Sequence, residues 1–245
     1  MATQPRSNRD TDAWARPVER LTTTATGAGA DTVTGKRVTG PIQGFGQMWQ
    51  KTFSVRLEGS SLSPQDLVSY WKKRFPTFWP KGAAFYAPLA GIAPGEVALL
   101  EVAPVPGSPV KMSTGVMVIF SDSESFAFMT PEGHALSAWI TFSGHRDGET
   151  TVAQVQALER TSDPFVELSY MFGANRYNDR FWEQTLDNLA HSVGVETPVV
   201  DSLKVCVDRR RQWRYVRNLR HSAAVNMAVA TVTAPVRWLR RRSVS

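Results

Sequence analysis

Histidine and cysteine, the usual metal ligands and nucleophiles, are few in this chain. The chain has four histidines, His134, His145, His191 and His221, and one cysteine, Cys206. None of the histidines has a second ligand at the short spacing of a zinc site, and a single cysteine excludes an intrachain disulfide. No glycine-rich loop fits a phosphate-binding or dinucleotide-binding fingerprint. The sequence therefore predicts no metal and no cofactor, and it leaves the catalytic residues unknown.

A second group with chemical potential is a set of polar side chains in elements that should face an interior. The set comprises Glu101, Thr114, Gln154, Gln156, Tyr170 and Thr185. A polar group inside an apolar cavity would orient a bound molecule or act as an acid or a base. The alternative is that most of these side chains point outward or bond to the backbone.

The C-terminal segment carries most of the positive charge. Between residues 204 and 245 there are eleven Lys and Arg side chains and one acid, Asp208, so this segment has a charge of +10. The rest of the chain has 17 basic and 21 acidic residues, and the whole chain has a net charge of +6. Residues 209–224 have the spacing of a helix with an aromatic side and an arginine side. A mildly acidic body with a basic amphipathic tail is predicted.

Arginines interleaved with aromatic residues suit an interfacial segment on an anionic membrane, where each basic residue contributes roughly 1 kcal/mol. The residues assigned to association with such a surface, or with a partner, are Arg209, Arg210, Arg211, Trp213, Arg214, Arg217, Arg220, Arg240, Arg241 and Arg242. Non-specific binding of nucleic acid by the same arginines is a second hypothesis. A solvated tail, or a helix that packs back on the domain, is the third.

The elements that must position these residues follow from periodicity and turn signals. Residues 51–58 alternate between apolar and polar side chains and predict a strand. A short helix follows, with Ser63 as its N-cap and Pro64 at its first position. Five further strands are predicted over 96–103, 110–120, 124–130, 136–144 and 150–161. The turns between them are tight, which favours antiparallel neighbours.

One long amphipathic helix is predicted over residues 178–193, capped by Asn178 and ended by Gly194. Its apolar stripe suits packing against the apolar face of the sheet, which needs a cover. The predicted fold class is therefore α+β, with a curved antiparallel sheet wrapped around a long C-terminal helix.

Composition divides the chain into three parts. Residues 1–40 are rich in Thr, Ala and Gly and predict a disordered segment, residues 41–196 predict one domain, and residues 197–245 form the basic tail. The N-terminus lacks the apolar core of a signal peptide, and no stretch reaches the ~20 apolar residues that span a bilayer. We expect a cytoplasmic protein that is peripheral at the membrane if its tail binds there.

Three short stretches, together with this order of elements, resemble the START/Bet v 1-like superfamily (SRPBCC, polyketide cyclase-like). They are residues 130–134 (TPEGH), 162–164 (SDP) and 179–183 (DRFWE), which look like parts of bacterial members of unassigned function. The resemblance covers residues 41–196 and implies a helix-grip fold. Because the superfamily is defined by shape and has no shared catalytic signature, the resemblance implies no particular chemistry.

The same resemblance implies a cavity between the sheet and the last helix that holds a hydrophobic small molecule or lipid. The residues expected to line it are Trp71, Val116, Val118, Phe126, Phe128, Ile140, Phe142, Val155, Phe181, Thr185 and Leu189. A binding module is the leading hypothesis, and a cyclase- or hydrolase-like enzyme in the same cavity is the alternative. A titratable pair facing the interior would favour the enzyme. Whether aromatic side chains fill the cavity is left open.

Overall fold

One antiparallel sheet organises the part of the chain that the computed structural model describes, residues 37–103, 111–223 and 225–226. In chain order the elements are β1 (Val38–Thr39), β2 (Met48–Arg56), α1 (Pro64–Arg74), β3 (Ala84–Tyr86), β4 (Val97–Val102), β5 (Met112–Ser121), β6 (Ser125–Pro131), β7 (Leu136–Asp147), β8 (Thr150–Thr161), α2 (Pro164–Ser169), α3 (Asn175–Ser192) and β9 (Val200–Asp208). Across the sheet the order is β3-β4-β5-β6-β7-β8-β2-β9, with β1 paired to β6. The predicted α+β helix-grip architecture is confirmed.

The strands follow the alternation of the sequence. In β2, Phe53 and Val55 are buried against the interior, while Ser54 between them is half-buried on the opposite face. The β7–β8 hairpin turns at Gly148, whose φ of 60° suits a residue without a side chain. Its register pairs Asp147 with Thr150, so the hairpin lies where the Asp-Gly turn signal predicted it.

Helix α1 begins as predicted. The Ser63 side chain accepts a hydrogen bond from the Asp66 backbone N–H at 3.1 Å, and Pro64 occupies the first turn. The helix packs on β7 next to Gly144, where a Cβ atom would lie only 2.9 Å from the Pro64 carbonyl oxygen. Gly144 therefore permits the close approach of helix and sheet.

The helical segment that closes the sheet is longer than predicted. Helix α2 begins after Asp163, whose Oδ1 accepts hydrogen bonds from the backbone N–H groups of Phe165 (2.8 Å) and Val166 (3.0 Å). A π turn over Tyr170–Ala174 joins α2 to α3 and contains a kink at Gly173, where φ is 108°. Helix α3 begins at Asn175 rather than Asn178, and Gly194 follows its end with a φ of 93°.

The sheet continues beyond residue 196, into the segment assigned to the tail. Strand β9 lies antiparallel to β2, with Lys204 opposite Lys51, and forms an edge of the sheet. A 3-10 helix follows over Trp213–His221 and is joined to the domain by Asn218, which donates hydrogen bonds to the carbonyls of Gln43 (3.0 Å) and Ser162 (2.9 Å). The first part of the predicted tail is thus docked.

Order also begins earlier than the predicted boundary at residue 41, because Val38 and Thr39 pair with β6. The rest of the predicted disordered segment, residues 1–36, lies outside the described residues, and so do Arg240, Arg241 and Arg242. None of the described helices combines the length and the apolar composition needed to cross a bilayer.

Candidate functional site

The residues predicted to line a cavity lie together, but many of them pack directly on one another. Phe126 and Phe142 stack with ring centroids 4.7 Å apart, and Trp71 meets Phe142 edge-on at 5.4 Å. The ring of Phe75 fills the space between them, 5.0 Å from Phe142 and 5.4 Å from Phe128. The remaining members of the predicted set that join this cluster are Val116, Val118, Ile140, Val155, Phe181 and Leu189. Aromatic side chains therefore occupy the middle of the interior.

The other end of the interior contains charge. The Lys51 ammonium lies 2.8 Å from Glu159 Oε1 and 2.8 Å from Asp179 Oδ1, and it donates a hydrogen bond to Asn175 Oδ1 at 2.6 Å. The Lys51, Glu159 and Asp179 side chains are 1%, 3% and 8% exposed. Charges removed from water to this degree persist only when they are paired and hydrogen-bonded.

Strand β9 supplies a fourth charge to this cluster. Lys204 Nζ lies 2.9 Å from Asp179 Oδ2, so Asp179 bridges two ammonium groups. Asn178 donates to both oxygens of Glu159, at 3.3 Å and 3.4 Å. The two lysines balance the two carboxylates. We call Lys51, Glu159, Asp179 and Lys204 the ion cluster.

The ion cluster arises because charged residues occupy the apolar faces of two strands. In β2, Lys51 precedes Phe53 and Val55 on the buried face. In β8, Glu159 follows Val155 and Ala157 on the buried face, where it stands opposite Trp49 of β2. Helix α3 crosses this end of the sheet and presents Asn175 and Asp179, which lie one turn apart on the same side.

Two pKa shifts follow from this packing. Burial lowers the pKa of Lys51, but attraction to Glu159 and hydrogen bonds to Asp179 and Glu159 outweigh burial, and the pKa is raised above the ordinary 10.5. Burial raises the pKa of Tyr170 well above the ordinary 10.0, and the negative charges of Glu159 and Asp179 raise it further. Lys51 is therefore charged and the Tyr170 phenol is protonated at neutral pH.

A pocket of about 130 Å³ lies beside the ion cluster. Its lining residues are Gln47, Trp49, Glu159, Arg160, Thr161, Glu167, Tyr170, Met171, Asn175 and Arg211. Glu159 and Asn175 belong to the pocket wall and also contact Lys51, so the pocket and the ion cluster are continuous. The Tyr170 ring is shared as well, because the Lys51 ammonium lies 5.8 Å from its centroid.

The chain after β9 closes one side of this pocket. Arg211 Nε lies 2.8 Å from Glu167 Oε1, and the Arg160 guanidinium pairs with Asp208 and donates to the Arg210 carbonyl at 2.9 Å. The Asp208 carboxylate accepts hydrogen bonds from the Arg210 backbone N–H, which has the larger effect, and from the Arg160 guanidinium. These bonds hold the pKa of Asp208 well below its ordinary 3.8. The C-terminal segment is therefore part of the site.

The polar residues singled out from the sequence have different positions. Tyr170 lines the pocket, whereas Thr185 donates to the Phe181 carbonyl at 2.7 Å inside its own helix. Gln156 bonds to Thr52 on the outer face of the sheet, which is also the face of Gln154, and Glu101 pairs with Lys111 at 3.7 Å near the opposite edge. Thr114 is buried in β5.

Lys51, Glu159 and Asp179 are not among the site residues predicted from the sequence. The sequence does contain a pattern that could have identified two of them. Lys51 in β2 and Glu159 in β8 are charged residues at positions where the alternation of the strand predicts an apolar, buried side chain. A charged side chain on a buried face requires a partner of opposite charge. Such a partner cannot be located from the sequence alone, because Asp179 lies 128 positions from Lys51.

The histidines lie apart from one another in the structure. His134 Nδ1 is bonded to the Leu136 backbone at 3.0 Å, and His191 lies 3.7 Å from Asp187 and His221 lies 3.9 Å from Glu132. Over the residues that the structure describes, no group of three or more His, Cys, Asp or Glu side chains is arranged to hold a metal ion.

The arginines of the described tail lie on a 3-10 helix. With about three residues per turn, side chains three positions apart are eclipsed, so Arg214, Arg217 and Arg220 form one row. All three are exposed, and Trp213 in the neighbouring row is 70% exposed. The structure therefore presents these arginines to solvent from a docked segment.

No family model matches the chain, and no curated protein sequence matches it. Similar solved structures include a START superfamily protein from Mycobacterium smegmatis, with 17% identity, 62% of this chain and 100% of that chain covered, and a TM-score of 0.42. Norcoclaurine synthase from Thalictrum flavum has 14% identity, 67% and 96% coverage, and a TM-score of 0.41. The di-domain ARO/CYC StfQ from the steffimycin biosynthetic pathway has 12% identity, 61% and 51% coverage, and a TM-score of 0.46. At these identities and TM-scores the likeness is one of fold, and no function is transferred.

Proposed function

We propose that this protein binds a hydrophobic small molecule or lipid with one polar end, in the pocket between the end of the sheet and the start of α3. The observation that carries this proposal is the contact between the pocket and the ion cluster. Trp49, Met171 and the Tyr170 ring offer apolar surface, while Glu159 and the protonated Tyr170 hydroxyl offer an acceptor and a donor. The rest of the pocket wall is charged or polar, as at Arg160, Glu167 and Arg211, so the site suits the polar end of such a molecule, with specificity set by placed polar groups.

The size of the pocket limits what it can enclose. Its volume of about 130 Å³ is well below the roughly 300–1,000 Å³ of pockets that hold drug-sized ligands. The pocket therefore suits the polar end of an amphiphile, while the apolar remainder lies at the mouth beside Met171. Binding of a whole lipid in the centre of the interior would require the rings around Phe75 to move.

We further propose that the exposed arginines hold the protein at an anionic membrane surface. The support is their exposure: the Arg210 side chain is 87% exposed, and Arg214, Arg217 and Arg220 form a row on the 3-10 helix. Each basic residue near an anionic membrane contributes about 1 kcal/mol. Nucleic acid remains the alternative polyanion, and its binding would weaken steeply with salt.

A second candidate function is catalysis of the cyclase or hydrolase type in the same pocket. The position of Glu159 favours catalysis, because this titratable side chain lines the pocket and is paired with Lys51. The Glu159 carboxylate would accept a proton from a bound molecule, and the protonated Tyr170 hydroxyl would donate a hydrogen bond to a carbonyl or an enolate.

The first test is native mass spectrometry of the full-length chain purified without detergent, followed by denaturing extraction. A discrete added mass that yields an apolar or amphiphilic compound supports binding. A clean mass that stays unchanged after incubation with a fatty acid and an aromatic panel contradicts it. The full chain is needed, because β9 and Arg211 belong to the site.

A matched pair of tyrosine variants then locates the site. Fluorescence of a dansyl-labelled fatty acid is titrated with the wild type, Tyr170→Leu and Tyr86→Leu. Tyr170 lines the pocket, whereas Tyr86 lies on β3 at the far edge of the sheet. We expect roughly tenfold weaker binding for Tyr170→Leu, since one hydrogen bond and an aromatic wall are lost, and no change for Tyr86→Leu. Equal affinities of the two variants would place the probe elsewhere.

Binding and catalysis are separated by the fate of the bound molecule. The extracted compound is incubated with the wild type and with Glu159→Gln, and its mass is followed over time. Conversion by the wild type and loss of conversion in Glu159→Gln, at retained thermal stability, favour an enzyme. Recovery of an unchanged compound from both proteins favours a binding module.

A further inference from the structure

Large apolar side chains are exposed on α2 and on the π turn that follows it. Phe165, Leu168, Met171 and Phe172 are 44%, 51%, 69% and 84% exposed. Phe165 and Leu168 lie three positions apart on one side of α2, whereas Val166 on the other side is buried at 3% exposure. Met171 and Phe172 follow in the π turn. Large apolar side chains exposed close together in one short segment are typical of an interaction site. We call these four residues the apolar face.

The exposed charges next to the apolar face are positive. Within residues 164–180, Arg176 and Arg180 are exposed, while the acid Asp179 is buried in the ion cluster. The remaining acid of this stretch, Glu167, has a side chain only 13% exposed, and it is paired with Arg211. The surroundings of the apolar face are therefore complementary to an anionic partner.

The apolar face also borders the mouth of the pocket. Met171 belongs to both, and Arg211 of the C-terminal segment lines the same pocket. A molecule that leaves the pocket past Met171 and Arg211 thus meets apolar side chains and a positive charge.

We propose that the apolar face and its flanking arginines dock on an anionic lipid bilayer, with the mouth of the pocket turned toward the acyl chains. This inference rests on the proposed function, and it identifies the source of the bound molecule: an amphiphile taken directly from the membrane. The apolar anchor is α2 with the π turn, and the arginines of the tail supply the electrostatic attraction.

A bilayer fits this surface better than two other occupants. A second copy of the chain would bring together two surfaces that both carry Arg176, Arg180 and Arg211, and like charges in an interface are unfavourable. Nucleic acid would pair with the arginines but offers no apolar phase for Leu168 or Phe172. The membrane interface offers an apolar layer directly below anionic head groups.

The test uses the full-length protein and sedimentation with two kinds of vesicle, phosphatidylcholine alone and phosphatidylcholine with phosphatidylglycerol. The variant is the pair Leu168→Ser and Phe172→Ser, because neither residue lines the pocket and both are exposed. The matched control is Leu89→Ser, which replaces a fully exposed leucine in the loop between β3 and β4. A third protein, Arg176→Glu with Arg180→Glu, tests the flanking charges.

We expect the wild type to bind phosphatidylglycerol vesicles, and the double serine variant to bind at least about tenfold more weakly, because two large apolar side chains lose their burial. Leu89→Ser should bind as the wild type does, and the glutamate variant should lose the preference for phosphatidylglycerol. Binding of the dansyl-labelled fatty acid without vesicles should be unchanged in the double serine variant. Loss of vesicle binding can therefore be distinguished from loss of ligand binding in the pocket.

Four results would overturn the proposal. The double serine variant could bind vesicles as tightly as the wild type, or the wild type could fail to bind phosphatidylglycerol vesicles. The wild type could prefer a single-stranded oligonucleotide over the vesicles at equal salt. A lower thermal stability or a lost dimer in the double serine variant without lipid would show that protein already covers the apolar face.

Discussion

Removal of the Lys51 charge should destabilise the protein strongly. The side chain is 1% exposed, and its ammonium group contacts Glu159 and Asp179 at 2.8 Å each. In Lys51→Met the two carboxylates remain buried, and Lys204 on Asp179 is the only cation of the ion cluster that is left. An uncompensated charge in the interior costs far more than the loss of an exposed contact.

The expected loss in free energy of unfolding is about 3–5 kcal/mol, the usual result of breaking a buried pair by removing one partner. For a chain of this length that corresponds to a fall in Tm of roughly 10 °C. The matched control is Arg56→Met, which breaks an ion pair with Asp147 whose side chains are 43% and 65% exposed. Because exposed ion pairs contribute little to stability, its unfolding midpoint should stay close to that of the wild type.

Urea unfolding at pH 7 measures both losses, and a second substitution tests the cause. Adding Glu159→Gln to Lys51→Met removes the unpaired carboxylate and leaves Asp179 with Lys204, so the double variant should regain about 2 kcal/mol over Lys51→Met. A loss for Lys51→Met no larger than that for Arg56→Met would refute the reasoning, since it would mean that water reaches the ion cluster.

The pH dependence of the wild type provides an independent check. The pKa of Lys51 is raised in the folded protein above the ordinary 10.5. Its contribution to stability is therefore complete below pH 10.5 and is lost as the pH rises through the folded pKa. The difference in unfolding free energy between the wild type and Lys51→Met should be constant near neutral pH. It should shrink once the pH exceeds the ordinary lysine pKa of 10.5.

Four further substitutions test the rest of the structure. Phe75→Ala removes a ring from the centre of the aromatic core and should cost about 3–5 kcal/mol in urea unfolding, whereas Phe172→Ala on the surface should cost less than about 0.5 kcal/mol. Gly144→Ala should cost about 1–3 kcal/mol, measured the same way, because its Cβ would press on the backbone of α1. Asp208→Asn should lower Tm at pH 7. Since the pKa of Asp208 is depressed, its contribution is present above the ordinary 3.8 and is lost as the pH falls through the folded pKa, so the Tm difference should narrow only in strong acid.

The strands and the order of elements could be predicted because local signals agree with the tertiary structure. The predicted strand over residues 150–161 has the observed bounds, since its alternation begins directly after an Asp-Gly turn. Helix α2 carries the same start signal as α1, a capping side chain followed by proline, at Asp163 and Pro164. It was missed because the π turn at Gly173 interrupts the helical period before α3 begins.

Strand β9 was missed for a different reason. Leu203, Val205 and Val207 alternate with Lys204, Cys206 and Asp208, which is close to a strand pattern, but the charge of the segment favoured a tail. Its pairing with β2 is a contact between distant parts of the chain. The ion cluster has the same character, because Lys51, Glu159, Asp179 and Lys204 come from four elements, and only the folded sheet brings them together.

Because β9 and Arg211 contribute to the site, the role of the tail cannot be tested by simple truncation. A chain that ended at Glu196 would lose β9, and with it the contacts of Lys204 with Asp179 and of Arg211 with Glu167. Weaker membrane binding by such a chain could come from a damaged site or from the missing arginines.

Arg214→Glu with Arg217→Glu reverses two exposed charges on the 3-10 helix and keeps the contacts of Lys204 and Arg211. We expect this variant to have an unchanged Tm and to bind phosphatidylglycerol vesicles at least about thirtyfold more weakly, since the two reversals together forfeit more than ~2 kcal/mol. If it binds as the wild type does, the tail serves the site and not the membrane.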